Sequence, residues 1–295
     1  MKGFITIIKV FAFVAVLGIV GGLIIFLKEF KKDFAQPTEN RSKKVEQIIE
    51  SNSDFKRGER EFNRALELIA MEQLSDAQEK LLFVQNLYAD SEFGPETRRI
   101  LGEINLDKVL SVSNMTNKEI HVVKQGRGAP LAIAKKYNTT LDCLMFLNGF
   151  LDMSVLHPGD ELIVMPLDFK LVVDLSSKIV ELYHRDEEKK AHVFTKEYVI
   201  LRSDMPKIGS RSTHTKISSK KGEVNGRVYT PSHSKYRNSK KVLSLKVGTR
   251  TVQMRPPSEI DEEDPGRGVF LSVSDMEELA MLIRLGNEVE IKPDR

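Results

Sequence analysis

The chain has 295 residues, of which 41% are hydrophobic, 45 are Lys or Arg and 42 are Asp or Glu. This length accommodates about two globular units, and the composition excludes wholesale disorder. The net charge of +3 is too small to make the whole molecule a nucleic-acid-binding protein, so any argument from charge must be local. The single cysteine, Cys143, excludes an intrachain disulfide and a multi-cysteine metal site.

An apolar run near the N-terminus predicts a membrane anchor. Residues 10–27 are 18 residues without a charge, and as a helix they span about 27 Å, close to the ~30 Å hydrocarbon core of a bilayer. A cleaved secretory signal is the alternative, but the run exceeds the usual ~7–15 apolar residues, and no small-x-small cleavage site follows it. We therefore expect a single-pass transmembrane helix within residues 1–32 and a polar linker over residues 33–54.

Helical periodicity dominates residues 55–117. Apolar residues recur at i, i+4 and i+7, starting from Phe62. A capping box of Ser75 and Gln78 is expected to open a second helix, and Pro95 suits the first turn of a third. The spacing resembles one degenerate tetratricopeptide unit followed by the start of another. A plain helical hairpin acting as a spacer and a peptide-binding groove both remain open, because one and a half repeats provide little concave surface.

Residues 118–167 contain two strand-like runs that enclose two short helices, which is a βααβ order. Thr140 is placed to cap the second helix, and His157-Pro158-Gly159-Asp160 has Pro and Gly at the positions that a type II turn requires. The motifs VVKxG, IAKKYN, LxxLN and PGDEL occur in the order found in the LysM family, which this segment resembles. The resemblance implies binding to the N-acetylglucosamine backbone of peptidoglycan or chitin.

In the LysM family the glycan lies between the loop after the first strand and the loop after the second helix. The resemblance implies these glycan-binding residues: Gly126, Arg127, Gly128, Asn148, Gly149 and Leu151. The two loops present mainly backbone groups, which suit a ligand rich in acetamido and hydroxyl groups. The chain departs from the family in the first loop, where Gly126-Arg127-Gly128-Ala129 replaces the usual Gly-Asp followed by Ser or Thr.

From residue 168 onward, alternating strand patterns dominate, and a capping box of Ser274 and Glu277 opens one late helix that Gly286 is expected to stop. The stretch GRGVFLSVSDMEELAMLIRLGNEVEIK resembles the end of the L,D-transpeptidase catalytic domain. That domain follows LysM modules in many cell-wall proteins and crosslinks peptidoglycan through a cysteine acyl-enzyme. We therefore predict an α+β multidomain chain whose residues 168–295 form a β-rich L,D-transpeptidase-like domain.

The catalytic positions of that family carry other residues in this chain. On the family motif Ser-x-Gly-Cys-x-Arg, the resemblance places Gly268 on the glycine, Val269 on the nucleophilic cysteine and Leu271 on the arginine, while Arg255 falls on the histidine. Valine has no lone pair, and arginine does not give up its proton at any ordinary pH. We expect no catalytic residues here, with Gly268 in a tight turn. Val269 and Arg255 are expected either near one another at the mouth of a groove or, if the groove has closed, with Val269 buried against Phe270 and Arg255 on the surface, paired to a following acidic run.

The enzymatic alternative is an active L,D-transpeptidase that uses an unrecognised nucleophile. Ser272 and Ser274 lie beyond the aligned nucleophile, and nothing in the sequence places His214 or His233 beside them. The other histidines show no metal-ligand spacing, so neither a metal nor a cofactor is expected.

A basic segment runs from Arg202 to Arg255 with a local balance of +12, and five acids follow within residues 259–264. We define its basic patch by six residues: Lys216, Lys220, Lys221, Lys240, Lys241 and Arg255. One interpretation is a basic face neutralised by the acidic run. The other is a docking surface for an anionic polymer, such as stem-peptide carboxylates, teichoic or lipid phosphates, or nucleic acid in a cytoplasmic setting.

These observations predict a bacterial inner-membrane protein with its bulk in the periplasm that binds peptidoglycan as a scaffold or regulator. A second hypothesis has the protein facing the cytoplasm, because six Lys or Arg residues follow the apolar run within residues 28–44 and only Lys2 and Lys9 precede it. On that hypothesis the basic segment holds nucleic acid or anionic lipid at the membrane. Nucleic acid is not the partner that the periplasmic orientation predicts, and the sequence does not identify protein partners.

Overall fold

The computed structural model describes residues 53–125, 129–150, 156–186, 188–206, 211–257 and 267–294. The predicted membrane anchor and most of the linker lie outside these ranges. Among the described residues, no helix combines the length and hydropathy needed to cross a membrane. The chain divides into two compact units, residues 1–59 and residues 60–295, and almost everything described below belongs to the second.

Three helices open the described chain: α1 Ser53–Ala70, α2 Leu74–Leu87 and α3 Gly94–Leu110. They bury a small apolar core that includes Phe62, Leu81 and Leu101, as the helical spacing predicts. Pro95 lies in the first turn of α3, as expected. The predicted capping box is wrong, because α2 begins at Leu74 and its N-cap residue, Gln73, makes no side-chain cap.

The next four elements confirm the predicted βααβ order: β1 Glu119–Val122, α4 Pro130–Lys136, α5 Leu141–Asn148 and β2 Glu161–Val164. The two strands pair in antiparallel fashion, and Val123, Ile133, Leu144, Leu162 and Val164 fill the core between them and the helices. The Thr140 hydroxyl accepts a hydrogen bond of 3.0 Å from the Cys143 amide, which confirms the predicted cap of α5.

The remaining strands form one sheet: β3 Phe169–Asp174, β4 Ile179–Asp186, β5 Ala191–Val199, β6 Arg202–Asp204, β7 Thr213–Val224, β8 Arg227–Tyr229, β9 Lys240–Val247, β10 Arg250–Arg255, β11 Gly268–Phe270 and β12 Glu288–Lys292. Their order is β5-β4-β3-β12-β7-β9-β10-β11-β6, with β8 paired to β7 alone. The β3–β12 and β10–β11 pairs are parallel, and the other pairs are antiparallel. This β-rich region confirms the predicted strand pattern.

The late helix, α6 Val273–Leu282, packs on β9 and β10. Its N-cap is Ser272, whose hydroxyl accepts from the Asp275 amide at 3.1 Å, so the predicted cap at Ser274 is two residues too late. The helix ends at Leu282, and Gly286, with φ of 88°, lies in the turn before β12 rather than at the helix end.

The largest apolar core, called the main core below, joins helices to the sheet. It contains Leu106 and Leu110 of α3, Cys143 and Leu147 of α5, and inward-facing residues of the strands and of α6. Residues 60–295 accordingly form one compact unit. The proposed domain boundaries after residues 117 and 167 stay predictions.

Candidate functional site

The positions that resemble the transpeptidase motif lie on the neighbouring strands β10 and β11 and directly after β11, and β6 pairs with the other edge of β11. Arg255 lies opposite Phe270 across the β10–β11 pair, and Phe270 lies opposite Arg202 across the β11–β6 pair. The guanidinium carbons of Arg255 and Arg202 are 4.7 Å and 5.4 Å from the centre of the Phe270 ring. Two cations therefore lie within cation–π distance of one aromatic ring.

Val269 belongs to the opposite face of the same strands. It lies opposite Met254 and Ser203, and because successive residues of a strand point to opposite faces, it points away from the face of Arg255. Val269 is 1% exposed and packs in the main core with Met254. The structure therefore does not place Val269 and Arg255 together at the mouth of a groove. Val269 is buried, as in the closed alternative, but on the opposite face of β11 from Phe270, and the acidic run expected to pair with Arg255 lies outside the described residues.

Gly268 and Leu271 have roles in packing. Gly268 lies within β11 rather than in a tight turn, so that expectation is wrong. A Cβ atom at this position would lie 2.4 Å from the carbonyl oxygen of Gln253, so the close approach of the two strands excludes a side chain. Leu271 is fully buried in the main core, and its amide donates to the Arg255 carbonyl at 3.1 Å. An arginine at position 271 would bring a charge into that apolar core.

Other candidate nucleophiles are structural in the described part of the chain. Cys143 on α5 is fully buried, and burial raises the pKa of its thiol to about 12. The hydroxyls of Ser272 and Ser274 lie 2.9 Å apart, and Ser272 is already occupied as the cap of α6. The histidines considered with these serines lie elsewhere: His214 lies opposite Glu290 on β12, and His233 caps the short 3₁₀ helix Ser234–Tyr236.

Of the predicted glycan-binding residues, the structure describes Asn148 and Gly149, while Gly126, Arg127, Gly128 and Leu151 lie outside the described ranges. The Asn148 side chain joins α5 to β2. Its amide nitrogen donates to the carbonyls of Leu144 and Ile163 at 2.8 Å each, and its oxygen accepts from the Ile163 amide at 2.7 Å. Gly149 ends α5 with φ of 65°, a conformation that favours glycine. In the described structure both residues therefore shape the module.

Only some residues of the basic patch are exposed to solvent. Lys216 and Lys240 are exposed, and Lys221 and Arg255 are partly exposed. Lys220 and Lys241 are buried, with side chains 5% and 3% exposed, so they cannot belong to a solvent-exposed patch.

A β-bulge explains the burial of Lys220. The β7–β9 register shifts between Ile217 and Ser219, so that Ile217 lies opposite Leu245 while Lys220 lies opposite Leu243. Both leucines face the main core, because they are two residues apart on one strand and are buried there. The extra residue therefore turns Lys220 to the core side, which simple alternation along the strand does not predict.

Sequence analysis missed a network of charged residues between α3 and the sheet. The Arg98 guanidinium donates hydrogen bonds to the carboxylates of Glu181 on β4 and Glu197 on β5. Burial raises the pKa of Glu197, while the charge of Arg98 opposes that rise. Lys196 Nζ is 2.8 Å from Glu103 on α3 and 2.9 Å from Glu278 on α6. These partners are separated by more than 80 residues along the chain, so no local pattern could have indicated them.

No protein-family profile matches the chain, and no curated protein matches it. Solved structures that resemble part of it include a fused zinc-dependent amidase/peptidase/peptidoglycan-binding domain protein from Clostridium acetobutylicum (9% identity, 42% of this chain, 51% of that chain, TM-score 0.29). An L,D-transpeptidase from Stackebrandtia nassauensis is also similar (18% identity, 43% of this chain, 57% of that chain, TM-score 0.28). A third is a cysteine-to-serine mutant of an Enterococcus faecium L,D-transpeptidase (14% identity, 64% of this chain, 82% of that chain, TM-score 0.27). The chain spans little more than half the length of the first two.

Proposed function

We propose that this protein is a membrane-anchored cell-wall protein that binds peptidoglycan without cleaving or crosslinking it. The absence of an accessible thiol at positions 269 and 143 supports the proposal that the protein does not catalyse acyl transfer. The residue that resembles the family nucleophile is a buried valine, and the only cysteine of the chain is a buried thiol on α5.

Acyl transfer through cysteine requires a thiolate that the substrate can reach, usually beside an imidazole that takes the proton. With a pKa of about 12, the Cys143 thiol remains protonated at neutral pH, and its burial excludes a peptide substrate. Arg255, at the position that resembles the family histidine, is a permanent cation and cannot act as a general base. The described residues therefore lack the parts of a cysteine acyl-transferase.

The binding part of the proposal is supported by the two sequence resemblances and by surface charge. LysM and L,D-transpeptidase domains both act on the bacterial cell wall, and here their motifs occur in the order that such proteins use. The exposed side chains of Lys216 and Lys240, together with partly exposed Lys221, provide positive charge. Exposed lysines attract the carboxylates of peptidoglycan stem peptides, with an attraction that salt weakens.

Sedimentation with purified peptidoglycan tests the binding. We expect the full-length protein to co-sediment at low salt and to be partly released as the salt concentration rises. Absence of retention at low salt would overturn the binding proposal.

Mass spectrometry after incubation with a carbapenem tests the absence of catalysis. We expect the intact mass of the protein to remain unchanged, because among the described residues the only thiol, that of Cys143, is buried and cannot accept the acyl group. An adduct of the expected mass would support the active-enzyme alternative, and peptide mapping would then identify its nucleophile.

We also propose that the chain spans the inner membrane once through residues 1–32, with its bulk in the periplasm. A glycan-binding module has its ligand on that side of the membrane, whereas the flanking charges favour the cytoplasm. Protease treatment of intact spheroplasts decides between the orientations, because only an outward-facing bulk is digested while the membrane stays sealed. Protection of the bulk would favour the cytoplasmic alternative.

A further inference from the structure

The buried lysine Lys220 lies where three elements meet. Its Nζ donates a hydrogen bond to the carbonyl of Ala280 on α6 and lies 3.3 Å from a carboxylate oxygen of Asp142 on α5. The Lys220 side chain is 5% exposed and that of Asp142 is 25% exposed. One strand of the sheet is thereby connected to the βααβ module and to the late helix through a single ammonium group.

The acceptor on α6 makes this arrangement favourable. The last carbonyls of a helix have no partner within the helix and carry the negative end of its dipole. Lys220 satisfies one of them, at Ala280, and the Thr140 hydroxyl donates to the next, at Met281. The first turn of α5 and strand β7 therefore converge on the same helix end.

A second buried lysine closes the neighbouring side of this junction. Lys241 Nζ donates to the carbonyls of Tyr236, Arg237 and Ser239 at 2.8–3.0 Å and lies 3.1 Å from a carboxylate oxygen of Glu277 on α6. The Tyr236 ring lies near both ammonium groups, 4.6 Å from Lys241 and 5.9 Å from Lys220. Lys241 thus holds the loop before β9 against α6, while Lys220 holds α5.

We propose that the Asp142–Lys220 pair is an electrostatic latch that fixes the βααβ module, residues 119–164, to the sheet in one orientation. The described helices and strands of the module then keep a constant position relative to the sheet, instead of moving as a tethered domain. The latch depends on pairing, because a buried ammonium group without its carboxylate is strongly destabilised. This inference stands independently of any glycan affinity.

Hydrogen–deuterium exchange of the full-length protein tests the latch. The Asp142→Asn variant leaves Lys220 buried without a counter-charge. We expect amides in α4, α5 and β2 of this variant to exchange at least about tenfold faster than in the wild type. Exchange in β3 and β4 should not change, which distinguishes release of the module from global unfolding. Unchanged exchange in the module would overturn the proposal.

Two further variants isolate the role of charge. Adding Lys220→Met to Asp142→Asn removes the unpaired ammonium group while keeping an unbranched side chain of similar length, so protection of the module should partly return. If the double variant exchanges faster than Asp142→Asn alone, the electrostatic latch is refuted. Glu67→Gln is a matched control, because Glu67 pairs with Arg64 at 2.7 Å with both side chains more than half exposed. Exchange in the module should not change in this control.

If Asp142→Asn does not fold, the milder Asp142→Glu variant keeps the charge and displaces it by one methylene group. Because this variant keeps the charge, it should fold and protect the module nearly as the wild type does, and failure of this variant to fold as well would refute the role of charge in the latch. Peptidoglycan sedimentation by the same variants separates the two proposals. Loss of the latch with retained sedimentation would leave the proposed function intact, and the reverse result would leave the latch intact.

Discussion

Gly268 on β11 and Gln253 on β10 lie directly opposite each other in a parallel pair, so close that a Cβ atom on Gly268 would lie 2.4 Å from the Gln253 carbonyl oxygen. The obstructing atom belongs to the backbone of a central strand and cannot rotate away. The glycine of the transpeptidase-like motif is therefore required here for strand packing, and not for a positive φ.

Replacing Gly268 with alanine should destabilise the protein by about 2 kcal/mol or more, because β10 and β11 must separate to admit the methyl group. Urea unfolding measured by circular dichroism gives the free energy of unfolding of wild type and variant. Thr251→Ala, at an exposed position of β10, is the control and should cost less than about 1 kcal/mol. Equal stability of Gly268→Ala and wild type would contradict the close approach.

Cys143 should be inert in the folded protein. Burial raises the pKa of its thiol to about 12, so at pH 8 the thiol is both protonated and inaccessible. We expect no alkylation by iodoacetamide in native buffer and one modified cysteine per chain in denaturant, as measured by intact mass. Rapid and complete labelling of the native protein would show that the thiol is accessible.

Arg98 should be a main determinant of the docking of α3 on the sheet. Arg98→Met leaves the carboxylates of Glu181 and Glu197, whose side chains are 8% and 13% exposed, without the guanidinium between them. We expect a loss of about 3 kcal/mol in the free energy of unfolding. Arg99→Met is the matched control, because Arg99 is 59% exposed and pairs with Glu96 on its own helix, so its loss should cost less than about 1 kcal/mol. Similar effects of the two substitutions would contradict this assignment.

The contribution of Glu290 to stability should depend on pH. A hydrogen bond from Lys170, at 2.8 Å, lowers the pKa of Glu290 below its ordinary value of 4.5. The unfolded chain therefore binds this proton more readily, so the stabilisation is present above about pH 4.5 and is lost as the pH falls through the lower pKa of the folded state. At pH 7, Glu290→Gln should be less stable than the wild type by up to about 1 kcal/mol. Urea unfolding of both proteins at a series of pH values should show this difference shrinking below pH 4.5, and a difference that grows on acidification would refute the assignment.

Local sequence patterns predicted much of the secondary structure because their causes are local. The repeat of apolar residues at helical spacing from Phe62 identified α1, and Thr140 caps α5 through an amide only three residues away. The strand-rich character of the chain from residue 168 onward was predicted, because alternation of apolar and polar side chains marks a half-buried strand. The predicted caps of α2 and α6 were wrong, because α2 begins one residue before Ser75 and has no side-chain cap, while two serines, Ser272 and Ser274, lie at the start of α6.

Chemistry that depends on residue identity alone was also determined by the sequence. A chain with one cysteine, and with valine at the position resembling the nucleophile, has no thiol at position 269, whatever its fold. The tertiary structure decided what each remaining position does. A bulge in β7 placed Lys220 in the core beside Asp142, and the packing of α3 on β4 and β5 placed Arg98 between two carboxylates. Strand register and the docking of distant elements arise from pairings across more than 70 residues, and such pairings leave no periodic signal in the sequence around either partner.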